Sequence, residues 1–262
     1  MKIWNVQTGK CIQQLANFQH CVSDLALSLE NEHLLVSLLD HKVYLYRLAT
    51  LRAQTTLSGH TEQITSCRFK YLKKQAVTGS LDRTIKHWDL DRSQVHTSNV
   101  STSQCHDVGI SLGSSIVASA HLNGCISIWA ENQPLPAHEI KATDSALTSI
   151  RFSPDDKYIY ATGRDHRIRK FDTRTWAQVW EAENDLYRCG SNSQKICVSA
   201  DGKFVVAGSK SGAVCIFQAQ NGEIEEIFEG KHKMAVNVSE WQPRGKKFVT
   251  ADAIGSICLW KA

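Results

Sequence analysis

A nucleophile, a base and an acid stand side by side at Cys105-His106-Asp107, the most site-like trio in the chain. A thiol beside an imidazole is the starting point of nucleophilic catalysis. On an extended strand, however, successive side chains point to opposite faces, so three contiguous residues do not converge on one substrate. Other catalytic signatures are incomplete. Gly230-Lys231-His232 and Gly245-Lys246-Lys247 lack the upstream glycine and the Ser or Thr of a phosphate loop. Gly208-Ser209-Lys210-Ser211-Gly212 is one residue out of step with a nucleophile elbow and reads as a hairpin. No His-x-x-x-His pair is present. The nine cysteines (Cys11, Cys21, Cys67, Cys105, Cys125, Cys189, Cys197, Cys215 and Cys258) are scattered, with no C-x-x-C pair. They read as small buried apolar residues in a reducing compartment. The expectation is a protein without enzymatic activity, cofactor or metal. His121 and His166, beside apparent turns, read as solvated turn residues.

The elements that would position any site emerge from internal repetition. Short strands end in an aromatic at Trp4, Tyr46, Trp88, Trp129, Phe171, Phe217 and Trp260, at intervals of 42, 42, 41, 42, 46 and 43 residues. Six residues before each of the last six stand Asp40, Asp82, Asn123, Asp165, Ser211 and Ile254. Asp or Asn followed by a turn-tolerant residue between apolar runs marks a tight hairpin. Small-residue strands precede the hairpins, as in Ala76-Val77-Thr78-Gly79-Ser80, and turns such as Ser153-Pro154-Asp155-Asp156 precede those. Each unit thus holds four short strands. A four-stranded unit repeating every ~40–45 residues is a propeller blade.

The predicted fold is an all-β propeller forming one domain over residues 1–262. It has six near-complete blades plus a partial first blade. Residues 1–16 form the remnant of the first blade, and residues 17–262 carry six further repeats. A seven-bladed parent that has lost its beginning fits this count. The run Cys11-Ile12-Gln13-Gln14-Leu15 either pairs with the last blade, closing a six-bladed ring, or stays on its own half-blade in a gapped arc. Composition agrees with a folded domain. Of 262 residues 42% are apolar and 21% charged, with a net charge of only +4 and no ~20-residue apolar stretch. Neither an export signal nor the concentrated basic stripe of a nucleic-acid binder is present.

The third repeat carries Gly59-His60, then Ser80-Leu81-Asp82-Arg83-Thr84 and His87-Trp88-Asp89. It resembles the WD40 repeat family. The resemblance implies a buried network in which His60 bonds Asp82, and Ser80 (or Thr78) and Trp88 complete the chain. From Tyr187-Arg188-Cys189-Gly190-Ser191 onward, through Trp241-Gln242-Pro243, Asp252 and Leu259-Trp260, the chain resembles the C-terminal WD-repeat domain of the autophagy-related protein 16-like family. That resemblance implies a scaffold in autophagosome assembly. Upstream segments of a family member bind the conjugation complex. The propeller recruits acidic receptor segments or proton-pump subunits and directs a ubiquitin-like lipidation machinery to membranes. A cytoplasmic protein, associating peripherally with autophagic or endolysosomal membranes, would follow. Two positions depart from the family pattern: Ala146 stands where a lysine is expected and Leu122 where an aromatic is expected.

On such a propeller one face gathers the hairpins before the aromatics and the links between blades. Here that face carries His41, Arg83, Leu122, Arg164, Arg167, Lys210, Lys231 and Lys233. Most are basic, which suits an acidic protein segment. The plain alternative is a solvated rim that binds nothing. Arg164-Asp165-His166-Arg167 also admits a phosphoinositide reading. A WD-repeat adaptor of another pathway, in ubiquitin-ligase substrate reception or vesicle trafficking, is the functional alternative. No nucleic-acid partner is expected.

Overall fold

In the computed structural model, residues 1–15, 18–70, 74–113, 116–131 and 133–261 are described. The boundary drawn between residues 16 and 17, and the terminal Ala262, lie outside them. Every regular element among the described residues is a β-strand, and the fold class is the WD-type β-propeller. The strands group into two compact units, Met1–Val100 and Ser101–Ala262.

Unit 1 opens with a hairpin of β1 (Lys2–Trp4) and β2 (Cys11–Gln14), paired Lys2 to Gln14 and Ile3 to Gln13. Its first four-stranded blade is β3 (Val22–Leu27), β4 (His33–Leu38), β5 (Lys42–Arg47) and β6 (Arg52–Ser58). Its second is β7 (Ile64–Lys70), β8 (Gln75–Ser80), β9 (Thr84–Asp89) and β10 (Gln94–Val100). Leu35, Val43 and Leu57 of the first blade pack on Ile64, Phe69 and Trp88 of the second.

Unit 2 holds three four-stranded blades and one of three strands. They are β11 (Cys105–Ile110), β12 (Val117–His121), β13 (Cys125–Trp129) and β14 (His138–Lys141); β15 (Leu147–Phe152), β16 (Tyr158–Gly163), β17 (Arg167–Asp172) and β18 (Gln178–Glu183); β19 (Cys197–Val198), β20 (Phe204–Gly208), β21 (Val214–Gln218) and β22 (Ile224–Phe228); and β23 (Val236–Trp241), β24 (Lys247–Asp252) and β25 (Ile257–Lys261). All strand pairs are antiparallel, so tight turns suffice to join them.

Apolar side chains from neighbouring blades interdigitate. Ile126 and Ala120 meet Leu147, Ile150 and Phe171, while Tyr160 and Ile168 meet Val205 and Phe217. Each large apolar side chain fully buried in this way contributes about 1.5–3 kcal/mol. Small residues set the approach. A Cβ on Gly208 would lie 2.6 Å from the Val236 carbonyl oxygen on the next blade, so only glycine fits there.

Six cysteines are buried and all nine are free thiols, but Cys11 and Cys21 are exposed. For these two the reading as buried apolar residues is corrected. Cys11 lies on β2, a strand exposed along its whole length.

Candidate protein-docking face

The Cys105-His106-Asp107 trio disperses into structural bonds. The Cys105 thiol reaches the Asp107 carbonyl oxygen at 3.4 Å, and a His106 ring nitrogen meets the Leu147 carbonyl oxygen at 2.8 Å. The Asp107 carboxylate accepts from Ile150 N (3.0 Å), Ser149 Oγ (2.9 Å) and Arg151 Nη1 (2.7 Å), and Lys195 Nζ lies 3.0 Å away. Asp107 therefore joins the innermost strand of one blade to the next.

His60 forms a relay with its hairpin. The Trp88 indole donates to Thr78 Oγ1 (2.8 Å), Thr78 Oγ1 meets His60 Nε2 (2.7 Å), and His60 Nδ1 meets Asp82 Oδ2 (2.8 Å). With the indole proton on the Thr78 oxygen, that hydroxyl donates to Nε2, and Nδ1–H donates to Asp82. Burial of Asp82 opposes its charge. Hydrogen bonds from His60, Thr84 and the Thr61 amide outweigh that and hold its pKa well below the usual carboxylate range. Of the two hydroxyls considered, Thr78 is the link and Ser80 is not. Two residues nearer the turn, Ser80 Oγ donates to the Glu62 and Gln63 carbonyl oxygens and accepts from the Asp82 amide.

Two further relays were not legible as such. His121 is corrected from a solvated turn residue to a buried one. Its Nε2 meets Ser119 Oγ at 2.7 Å, the Trp129 indole donates to the same oxygen, and its Nδ1 lies 3.2 Å from the Ser103 carbonyl oxygen. Here the histidine comes from the end of β12 rather than from the preceding link. Burial pushes its pKa down to about 4. In the last blade Trp260, Thr250, His232 and Asp252 repeat the arrangement, with His232 Nδ1 3.1 Å from Asp252 Oδ2. Ile254 occupies the position where Asp was sought. Asp252, two residues earlier, supplies the carboxylate and also caps the Ile254 and Ser256 amides. Chain order alone hides both cases, because the partner arrives from a different point on the strand.

The basic candidates lie at hairpins and links. His41 and Arg83 are exposed in unit 1, at the β4–β5 and β8–β9 turns, both with left-handed φ of 65°. In unit 2, Leu122 lies at the β12–β13 turn, Arg164 at β16–β17 and Lys210 at β20–β21, while Lys231 and Lys233 lie in the link from β22 to β23; all are exposed. Hairpins and links alternate in one band. A Cβ on Gly124 would strike the Ser145 carbonyl oxygen at 2.7 Å, the Arg164 amide donates to Ala146, and the Lys210 amide donates to Arg188. A Cβ on Gly212 would strike the His232 carbonyl oxygen at 2.6 Å. Arg167 contributes least. Its guanidinium pairs with Glu181 (2.5 Å) and with its cross-strand partner Glu183 (2.7 Å), so its charge is compensated on β18. Arg188, outside the predicted basic set, also belongs to the band. His166 is half-buried among these cations. Burial, then Arg188 and Arg164, and more weakly Lys210, push its pKa down against Asp165. Among the described residues no carboxylate pairs with Arg164, Lys210, Lys231 or Lys233. The band is therefore an electropositive surface suited to anionic groups.

Four-stranded antiparallel blades and indole–hydroxyl–imidazole relays define a WD-repeat β-propeller protein. The family model of the WD domain, G-beta repeat, matches residues 51–89, and the chain is a WD40-repeat protein whose relatives include autophagy-related 16 proteins. It is 27% identical over 261 residues to Autophagy-related protein 16 of Arabidopsis thaliana, covering 99% of this chain and 51% of that protein. It is 29% identical over 266 residues to Protein tipD of Dictyostelium discoideum, covering 100% and 43%. It is 23% identical over 271 residues to Autophagic-related protein 16.2 of Caenorhabditis elegans, covering 100% and 50%. The chain thus spans about half the length of these relatives.

A model of the Cytochrome D1 heme domain also matches, over residues 123–251. The groove in this region does not fit a haem, which needs an axial ligand. Both ring nitrogens of His232 are engaged, and the open groove of about 770 Å³ beside Tyr160 and Phe204 is lined by no His, Met or Cys. Burial raises the Tyr160 hydroxyl pKa, against the phenolate an iron would require.

Proposed function

We propose that this protein is a non-catalytic WD-repeat scaffold that recruits protein partners in autophagy, directing ubiquitin-like lipidation machinery to membranes. The basic band of unit 2 is the docking face, and the partner presents an acidic segment. The observation that carries this reading is the set of exposed cations Arg164, Lys210, Lys231 and Lys233, contributed by two hairpins and one link and without carboxylate partners among the described residues. Long-range attraction speeds encounter, and exposed Leu122 and Met234 offer desolvated contacts. The names of the relatives supply the pathway. Under this reading the protein is cytoplasmic and reaches autophagic or endolysosomal membranes through its partners, receptor segments or proton-pump subunits among them.

Charge reversal at Lys210, Lys231 and Lys233 tests it. Capture of acidic receptor segments or proton-pump subunits by the purified protein should be lost, with the melting curve unchanged. Binding of the unaltered protein should weaken between low and physiological salt, since exposed charges are screened over ~8 Å at 0.15 M. Undiminished capture by the reversed protein would refute the docking face.

A further inference from the structure

The segment Tyr187–Gly190 is tied into the electropositive band by several hydrogen bonds. Tyr187 is fully buried, its hydroxyl 2.6 Å from Thr162 Oγ1. The Arg188 amide donates to Ser209 Oγ (3.0 Å), and the Lys210 amide donates to the Arg188 carbonyl oxygen (2.8 Å). The Cys189 amide donates to His166 Nδ1 (3.0 Å), while Arg164 Nη1 donates to the Cys189 carbonyl oxygen (3.2 Å). Three cationic residues, Arg164, Arg188 and Lys210, are thus hung on one hydrogen-bonded frame.

Their charge is poorly compensated. Arg188 Nη2 meets Asp185 at 3.2 Å, but that carboxylate is fully exposed and contributes little. Asp165, the carboxylate beside His166, is turned to Arg169 (2.5 Å) and Thr143 (2.7 Å). Like charges held together repel, and an anion relieves that repulsion. A carboxylate offers one charge and two oxygens. A phosphate monoester offers about −1.5 to −2 and three acceptor oxygens. It matches three cations, and arginine forks bind it with paired hydrogen bonds. Among the described residues, Arg164 bonds the Cys189 carbonyl oxygen through Nη1 and Arg188 bonds Asp185 through Nη2.

We propose that Arg164, Arg188 and Lys210 form a phosphate site that receives a phosphorylated serine or threonine of the docked partner. The proposal rests on the docking reading above. Exposed Leu186 and Met234 near the site favour a peptide, whose neighbouring residues supply apolar contacts.

His166 reports occupancy. Its surroundings are Arg164, Arg188 and Lys210, which disfavour the imidazolium, and Asp165, which favours it. A bound phosphate anion favours it too, so occupancy raises the His166 titration midpoint. The experiment is an NMR pH titration of the full chain at constant ionic strength with inorganic phosphate or with acetate. Co-sedimentation with phosphatidylcholine vesicles containing phosphatidylinositol phosphate is measured alongside. Phosphate should raise the midpoint by about half a unit or more, acetate should raise it less, and Arg188→Ala and Lys210→Ala should each reduce the response. Vesicles should not bind. No shift with phosphate, or an equal shift with acetate, overturns the proposal. Vesicle binding that depends on Arg188 and Lys210 overturns the phosphoprotein source. Retained capture of partners with no phosphate response retires the phosphate site alone; loss of capture in the Lys210, Lys231 and Lys233 reversal is read independently.

Discussion

Asp24 in unit 1 and Asp107 in unit 2 occupy the same place in their blades and receive the same groups, yet their surroundings differ. Asp24 accepts from Cys67 N (3.0 Å) and Arg68 Nη1 (2.6 Å), which lie 43 and 44 residues further on. Asp107 accepts from Ile150 N (3.0 Å) and Arg151 Nη1 (2.7 Å), at the same two separations. The Asp24 side chain is 16% exposed, whereas that of Asp107 is fully buried and also pairs with Lys195. The strands that carry them explain the contrast. Along β3, Val22, Leu25 and Leu27 are exposed, while every residue of β11 is buried. The local sequence chooses the partners, and the covering of the strand decides how much the bond is worth.

The largest expected effect is at Asp107. Asp107→Ala leaves Lys195 and Arg151 buried or half-buried without their carboxylate and should cost about 3–5 kcal/mol. Asp24→Ala should cost roughly 1–2 kcal/mol, because water reaches Arg68. Urea denaturation of both variants reads the difference, and equal losses would break the comparison.

Acid sensitivity separates the units next. His121 has a folded pKa of about 4, below its unfolded value near 6.5. The unfolded chain therefore binds the extra proton first. The corresponding stability is complete above pH 6.5 and is lost as pH falls toward 4, by up to about 3 kcal/mol. Asp82 also has a depressed folded pKa. Its contribution is intact above the ordinary carboxylate pKa of about 3.9 and disappears only below it. Stability measured from pH 7 to 4 should fall less steeply in His121→Gln, where His106 and His166 still contribute, and keep its slope in Asp82→Asn. A slope unchanged by His121→Gln would show that His121 is not held neutral by burial.

The smallest effect sharpens the account of β3. Leu25→Lys or Leu27→Lys should change stability by no more than about 0.5 kcal/mol, as at other exposed sites, while Val108→Lys on β11 should prevent folding. A loss above 1 kcal/mol at Leu25 would mean that β3 is covered in solution.

The sequence by itself determined the blade. Seven aromatics at near-equal intervals, Asp or Asn at most of the hairpins and short apolar strands come from strand periodicity and turn chemistry, which are local. It also brought His60, Asp82 and Trp88 into one network, because that repeat keeps the full WD signature. Three things were decided only by tertiary structure. The hydroxyl in the relay is Thr78 rather than Ser80, since which of two residues on one strand face meets an indole depends on register and depth. His121 and Asp252 serve in relays from unexpected chain positions, since a buried hydrogen bond selects by distance in space. Arg167 loses its charge to Glu181 and Glu183 while Arg164, Arg188 and Lys210 gather, since charge compensation depends on neighbours far away in the chain that folding alone brings within reach.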